Sequence, residues 1–282
     1  VNDLAIPTQS GNLITVRASS LAELFDCALR WEAKHILRMR SPASRRMVLG
    51  TAVHAGTAMF DTARMEGRPI KADEAADAVI NKLREPGEDV QEDDDDISTK
   101  EAEIIGLTLH TKYCADISPR YTFRAVELDL GGLDIDVPEQ GVTVRLTGHL
   151  DRSRVSRIGG SKLLRISDIK TGGRAAYKDG RAETKGRGLQ IGVYQILTEQ
   201  SLGESIDPVG EIIGLCTSKA AHTGVSEIAG PKHQILGGPK GEPSLIEHAA
   251  NMLRTGLFPP NPTSNLCSAR YCVRHATCPY HE

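Results

Sequence analysis

The sequence predicts an α/β protein with a mixed central sheet and helices packed on its faces. Three observations predict it. Apolar residues recur at helical spacing up to about residue 117, then alternate between 121 and 169. A second helical stretch follows at 189–202, and a compact apolar run at 209–216 comes directly after it. That strand–helix–strand order makes a crossover, which places the last strand parallel to a neighbour within an otherwise antiparallel meander.

Taken in order, residues 17–37 read as a helix. Leu21, Leu24, Phe25 and Ala28 form its apolar stripe, and Glu23 stands three residues after Ser20 at capping-box spacing. Residues 47–65 are a second helix, whose small residues Gly50, Ala52, Ala55, Gly56 and Ala58 permit close approach to a neighbour. Helices at 72–84 and 99–117 follow, separated by an acidic run at 92–96 that reads as a solvated loop because like charges repel. Strands are expected at 121–130, 133–137, 142–155 and 162–169, with turns at Gly131-Gly132 and Gly159-Gly160. Residues 218–243 are rich in Gly, Pro and polar residues and read as a long loop. A last helix at 244–257 is stopped by Pro259-Pro260. The chain divides on this reading into an N-terminal helical segment (1–46), a helical region with the acidic loop (47–118), a core (119–257) and a cysteine-rich C-terminal segment (258–282).

Composition narrows the function classes. No apolar stretch reaches the ~18 residues of a membrane-spanning helix. The start carries no secretory pattern, so a cytoplasmic location without membrane association is expected. The phosphate-loop pattern G-x-x-x-x-G-K-[ST] is absent, which argues against an ATPase. The net charge of −3 neither announces nor excludes a nucleic-acid partner. Base is concentrated in residues 34–46 and again in 162–187. Of six cysteines, Cys114 and Cys216 sit in apolar segments and read as core residues. A disulfide scaffold is not expected in a chain of this length without a secretion signal, and metal binding is the better reading of the others.

The chemistry centres on Gly148-His149-Leu150-Asp151-Arg152 and Asp168-Ile169-Lys170-Thr171-Gly172. The Gly159-Gly160 hairpin lies between them, so Asp151 and Asp168 should face each other across adjacent strands. Two carboxylates at one poorly solvated point repel, and a hard divalent cation such as Mg²⁺ or Mn²⁺ removes that penalty. Asp168 and Lys170 are two apart on a strand and share a face. A metal to polarise phosphate, a water of lowered pKa and a cation at the developing charge are the equipment for phosphodiester hydrolysis. Glu127, in an alternating strand, is either an additional acidic ligand or an exposed strand residue. His149 is assigned no role.

These residues resemble the PD-(D/E)xK nucleases, and within them the RecB-like branch. Gly50-x-x-x-His54 is similar to the branch's helix-borne histidine motif, Gly148-x-x-Asp151-Arg152 to its acidic strand motif, and Asp168-Ile-Lys170-Thr-Gly to the signature strand and turn. Gln190-x-x-x-Tyr194 is similar to the motif on the following helix. Asp168 stands where many relatives carry Glu. The resemblance implies the superfamily's core of helix, antiparallel meander, crossover helix and strand. It implies His54, Asp151 and Asp168 as metal ligands, with the Ile169 carbonyl as a further one. Lys170 would be the catalytic base or electrostatic partner, and Gln190 and Tyr194 would reach one phosphate or nucleotide.

Cys27, in Cys-Ala-Leu-Arg-Trp, and Cys267-x4-Cys272-x5-Cys278 resemble the four-cysteine iron–sulfur nucleases, a group with AddB-type and CRISPR-adaptation members. The resemblance implies a [4Fe–4S] cluster on four thiolates. A structural zinc is the competitor, with His275 or His281 able to replace one cysteine. The substrate implied is DNA, preferably single-stranded and entered from an end, with recombination or CRISPR-adaptation proteins as partners. The segment 172–188 reads as a mobile loop beside the site. Its Arg174, Lys178, Arg181, Lys185 and Arg187, with Lys162 and Arg165 before it, would hold phosphates. Tyr177 and Tyr194 are the aromatics placed to stack on bases.

Overall fold

The computed structural model describes residues 13–91 and 97–281, so the acidic run at 92–96 lies outside the described residues. Six strands form one sheet: β1 (Leu13–Arg17), β4 (Phe123–Val137), β5 (Val142–Ile158), β6 (Ser161–Gly172), β7 (Val209–Cys216) and β8 (Thr223–Ala229). The two-residue strands β2 (Ala43–Ser44) and β3 (Val90–Gln91) pair separately. Helices α1 (Ala18–Asp26), α6 (Gly188–Leu202), α7 (Lys232–Leu236) and α8 (Leu245–Thr255) contribute to a core on one face, with Leu21, Leu24, Leu146, Ile166, Ile191 and Leu253 buried there. On the other face, α3 (Arg45–Met65), α4 (Ala72–Arg84) and α5 (Thr99–Lys112) bury Leu49, Val53, Val79, Leu109, Ile213 and Leu215. The α/β class and the mixed sheet are therefore as expected. No helix among the described residues is long and apolar enough to cross a membrane.

Strand β5 organises the sheet. One edge pairs with β4 along most of its length. The other edge is shared: β1 runs parallel to residues 143–147, and β6 runs antiparallel to residues 152–158. Residues 148–151 lie in the gap between these two partners. The β6–α6–β7 crossover makes β6 and β7 parallel in unbroken register from Ser167↔Glu211 to Gly172↔Cys216.

Four expectations of the sequence reading are corrected. Residues 17–37 are not one helix. Leu13–Arg17 is a strand, and α1 breaks at Cys27, whose extended backbone separates it from α2 (Ala28–His35). The Ser20 hydroxyl bonds back to the Arg17 carbonyl, and Glu23 is drawn into ion pairs with Arg30 and Lys34 in place of a capping box. Gly131-Gly132 is not a hairpin turn. It is an irregularity inside β4, because pairing with β5 resumes at Gly132↔Thr147 after a register shift. Residues 218–243 are not one loop, since they contain β8 and α7. The hydrophobic pattern of Thr-Gly-Val-Ser-Glu-Ile-Ala is too weak to announce an edge strand, and pairing to β7 supplies what the pattern lacks. The segment 172–188 is not an irregular loop. It folds into a tight hairpin held by the Ala176↔Ala182 bridge, and the Ala182 N–H donates to the Ser226 hydroxyl at 2.9 Å.

The C-terminal segment docks on α1 and α2 through side chains. Asn261 Nδ2 donates to the Asp26 carbonyl at 2.9 Å, Ser264 Oγ to Asp26 Oδ2 at 2.6 Å, and Arg274 Nη1 to Glu32 Oε2 at 2.7 Å. Trp31 stacks on Phe258 with ring centroids 6.3 Å apart.

Candidate active site

The site forms where β5 and β6 part. Pairing of the two strands ends at Arg152↔Ser167, and beyond it the Asp151 carboxylate takes over from the backbone: its Oδ2 accepts the Ile169 N–H at 2.8 Å. The Asp151 side chain thereby faces the end of β6 that carries Asp168 and Lys170.

Helix α3 brings His54 to the same point. Gly50, one turn earlier, explains how the helix comes close enough: a Cβ there would stand 2.5 Å from Thr171 Oγ1, in the turn after the signature strand. His54 Nδ1 lies 3.9 Å from Asp151 Oδ2. With a carboxylate oxygen of Glu127, they form a group of three donor atoms all within 4.8 Å of one another. Glu127 is half-buried, and its two carboxylate oxygens also meet Arg152 and His149. Its backbone is left-handed, with φ of 47°, a conformation that is strained for a residue with a side chain. That local distortion of β4 accompanies the presentation of its carboxylate to the group.

Asp168 is 1 % exposed. Burial pushes its carboxyl up to about 6; Lys170 pulls it down and the Asp151 carboxylate adds to the rise. Lys170 Nζ donates to Asp168 Oδ1 at 3.0 Å and lies 2.8 Å from Oδ2, off the line of a hydrogen bond. Asp168 Oδ2 therefore remains a buried acceptor without a hydrogen-bond partner among the described residues. A buried carboxylate oxygen with an ion pair but no aligned hydrogen bond, beside three clustered donors, fits a cation, which would help hold the carboxyl ionised.

Gln190 and Tyr194 are placed differently from what spacing alone suggested. Gln190 Nε2 donates to Asp168 Oδ1 at 3.3 Å and to Tyr194 Oη at 3.0 Å, and both residues are buried. Tyr194, only 4 % exposed, cannot stack on a base; it packs over Gly148, where a Cβ would lie 3.0 Å from its ring. The pair braces Asp168 from behind.

A buried charge network that sequence reasoning missed supports the other side. Arg152 is fully buried. Its Nε donates to Asp61 Oδ2 at 2.7 Å, its Nη1 to Glu127 Oε1 at 2.8 Å and to the Asp151 carbonyl at 2.7 Å. Asp61 also accepts from Tyr113 Oη and Ser118 Oγ, each at 2.5 Å. Burial and the Asp61 charge both raise the Tyr113 phenol, so it stays a donor. His149 joins at the surface, 2.9 Å from Glu127 Oε2. The spacing Gly50, His54, Thr57, Asp61 on one helix face was the available signal, since a lone Asp at the end of such a stripe needs a partner.

The basic residues separate into two sets. Arg165 is committed to Asp207 and Glu227, and Arg181 to Asp179 at 2.8 Å. Arg174, Lys178, Lys185 and Arg187 are exposed. The four cysteines expected to act together, Cys27, Cys267, Cys272 and Cys278, line one pocket with Arg30. Burial and then the thiols of Cys272, Cys27 and Cys278 push the Cys267 thiol up. Cys114 and Cys216 are buried core residues.

A histidine, three acids and a lysine thus gather at one strand end of this α/β fold. The sequence matches the PD-(D/E)XK nuclease superfamily over residues 15–279, and the chain belongs to it. Nucleases of this superfamily use divalent metals, and the His54, Glu127 and Asp151 group is a possible site for one. Among solved structures, the chain is similar to a protein of Eubacterium rectale provisionally described as an exonuclease, with 15 % identity, coverage of 99 % of this chain and 94 % of that one, and a TM-score of 0.52. The structure of SSO0001 covers 96 % of this chain and 88 % of its own at 12 % identity, with a TM-score of 0.43. A comparison with curated protein sequences found no match.

Proposed function

We propose that the chain is a divalent-metal-dependent deoxyribonuclease of the RecB-like branch, acting from single-stranded DNA ends and carrying a [4Fe–4S] cluster on its four clustered cysteines. The meeting of His54, Glu127 and Asp151 beside the Asp168–Lys170 pair carries the nuclease reading. One imidazole and several carboxylate oxygens suit Mn²⁺ or Mg²⁺. Such an ion would supply Lewis acidity toward a phosphate and a lowered pKa for water. His54, Glu127, Asp151 and Asp168 would hold it, with the Ile169 carbonyl as a further donor. Lys170, half-buried over Asp168, would hold the phosphate oxygen or take the proton of the attacking water. Gln190 would keep Asp168 in one rotamer. Arg174, Lys178, Lys185 and Arg187 would hold phosphates without regard to sequence, as expected of salt-sensitive, sequence-tolerant binding.

The cluster reading rests on the resemblance to the four-cysteine iron–sulfur nucleases, and it is supported by all four cysteines lining one pocket. Arg30 also lines the pocket, and its buried Nη1 has no hydrogen-bond partner among the described residues. A metal–thiolate centre of net negative charge, cluster or zinc alike, would provide one.

The test is digestion of end-labelled linear and closed circular single strands, and of blunt duplex, with Mg²⁺ or Mn²⁺. Metal-dependent loss of linear single strands, absent in Asp168→Ala and Lys170→Ala, is expected. Full activity in excess EDTA or in Asp168→Ala overturns the site. Equal cutting of circles overturns end-dependence alone.

A further inference from the structure

The hairpin after the signature strand offers a surface that the hydrolytic site does not use. Gly214 of β7 is the register partner of Lys170, so both face the same side of the sheet. Gly224 of β8 is in turn the partner of Gly214. Together they leave a floor without side chains. The hairpin lies on that floor: a Cβ on Gly214 would collide with the Ala175 carbonyl, and one on Gly224 with the Arg181 carbonyl. Val225 N–H donates to the Gly180 carbonyl at 3.0 Å, and Glu183 N–H to the Ala175 carbonyl at 3.0 Å. The segment is thus fixed one strand away from Lys170, on its face of the sheet.

At the tip stands Tyr177, 41 % exposed. An exposed tyrosine on a loop ordinarily samples several rotamers. This one is held by its hydroxyl and covered on one face of its ring. Its hydroxyl donates to the Glu183 carboxylate, and the Arg181 guanidinium lies 5.8 Å from the ring centroid. Arg181 is itself fixed by Asp179, through Nε at 2.8 Å and through its backbone N–H at 3.1 Å. Arg174 and Lys178 flank the tyrosine, exposed and with no ion pair among the described residues. A pre-oriented aromatic ring in a segment with two exposed cations matches the chemistry of an unpaired nucleobase and its neighbouring phosphates.

We propose that Tyr177 is a stacking platform for an unpaired base of the DNA strand being cut, with Arg174 and Lys178 on the phosphates beside it. This rests on the nuclease reading and adds to it a source of single-strand preference. In duplex DNA the base faces are covered by their neighbours, whereas a single strand offers one to the ring. Stacking of this kind tolerates any base.

The experiment measures binding of a fluorescently labelled 12-nucleotide oligothymidylate, in EDTA to prevent cutting, against an abasic strand of the same length. Tyr177→Ala is expected to weaken oligothymidylate binding about tenfold. Tyr177→Trp should restore it, and both proteins should bind the abasic strand alike. Thermal melting of both variants within a degree of the parent establishes that the fold is intact. Unchanged oligothymidylate affinity in Tyr177→Ala, or an equal loss on the abasic strand, overturns the proposal. A parent protein that binds oligothymidylate in this pattern but cuts no DNA with Mg²⁺ or Mn²⁺ leaves the platform standing and removes the nuclease reading.

Discussion

The Arg152–Asp61 pair gives the sharpest prediction about how the site is held. Both side chains are fully buried, and Asp61 carries the charge that balances the guanidinium while accepting from Tyr113 and Ser118. In Asp61→Asn the shape is nearly kept and the charge is lost. Removing one partner of a buried pair typically destabilises by about 3–5 kcal/mol, because the remaining charge is left uncompensated. Arg152 keeps a second counter-charge in Glu127 at 2.8 Å, so the lower end, about 3 kcal/mol, is expected. In a chain of this size that corresponds to a fall in Tm of roughly 6–12 °C. The consequence reaches the active site. Arg152 also holds the Asp151 carbonyl and one oxygen of Glu127, and disturbing groups behind metal ligands commonly weakens metal affinity by about 10–100-fold. Calorimetric melting and Mn²⁺ titration of the same preparation measure both effects. The double variant Asp61→Leu with Arg152→Met should regain part of the stability, since an apolar pair leaves no orphaned charge, but not the metal affinity. An Asp61→Asn protein that melts within a degree of the parent and binds Mn²⁺ equally well would refute this reasoning.

Two further outcomes are expected. Protein prepared without oxygen should contain iron and acid-labile sulfide and be brown, and Cys272→Ala should lose both and unfold more readily. Metal analysis finding one zinc per chain and no sulfide would count against the cluster. Glu23 is subject to burial, which raises its carboxyl, but the nearby His35 imidazole at 3.9 Å, the Lys34 hydrogen bond and the charges of Lys34 and Arg30 outweigh it and hold the group at about 2. A carboxyl depressed on folding stabilises above its unfolded value, near 4.5, and that contribution fades as pH falls toward 2. Glu23→Gln should therefore be less stable than the parent by about 2–3 kcal/mol at pH 7, with the difference shrinking below pH 4.5. A constant difference across that range would show that Glu23 contributes through packing.

Much of the core was legible in the sequence because its signals are local. The helices at 72–84 and 188–202 and the strand at 209–216 follow from apolar period and from breakers at their ends. The order of Gly50, His54, Asp151, Asp168, Lys170, Gln190 and Tyr194 pointed to one site, because each motif carries its own spacing on one strand or helix. What spacing conveys is which side chains share a face. It does not say what that face meets. Whether Gln190 and Tyr194 face a ligand or brace Asp168 depends on how α6 packs over Gly148, which is a property of the assembled sheet.

The sequence by itself determined the α/β class, the crossover and the acidic and lysine residues of the signature strands, since period and motif are written within short stretches of chain. Only the tertiary structure decided the rest. Strand β1 became a strand because residues 143–147 of β5 offered it an unpaired edge. Glu127 entered the donor group through a left-handed backbone position. Arg152 turned inward because Asp61, ninety-one residues earlier in the chain, was there to receive it. These are pairings between groups far apart in sequence, and each is favourable only once both partners are already in place.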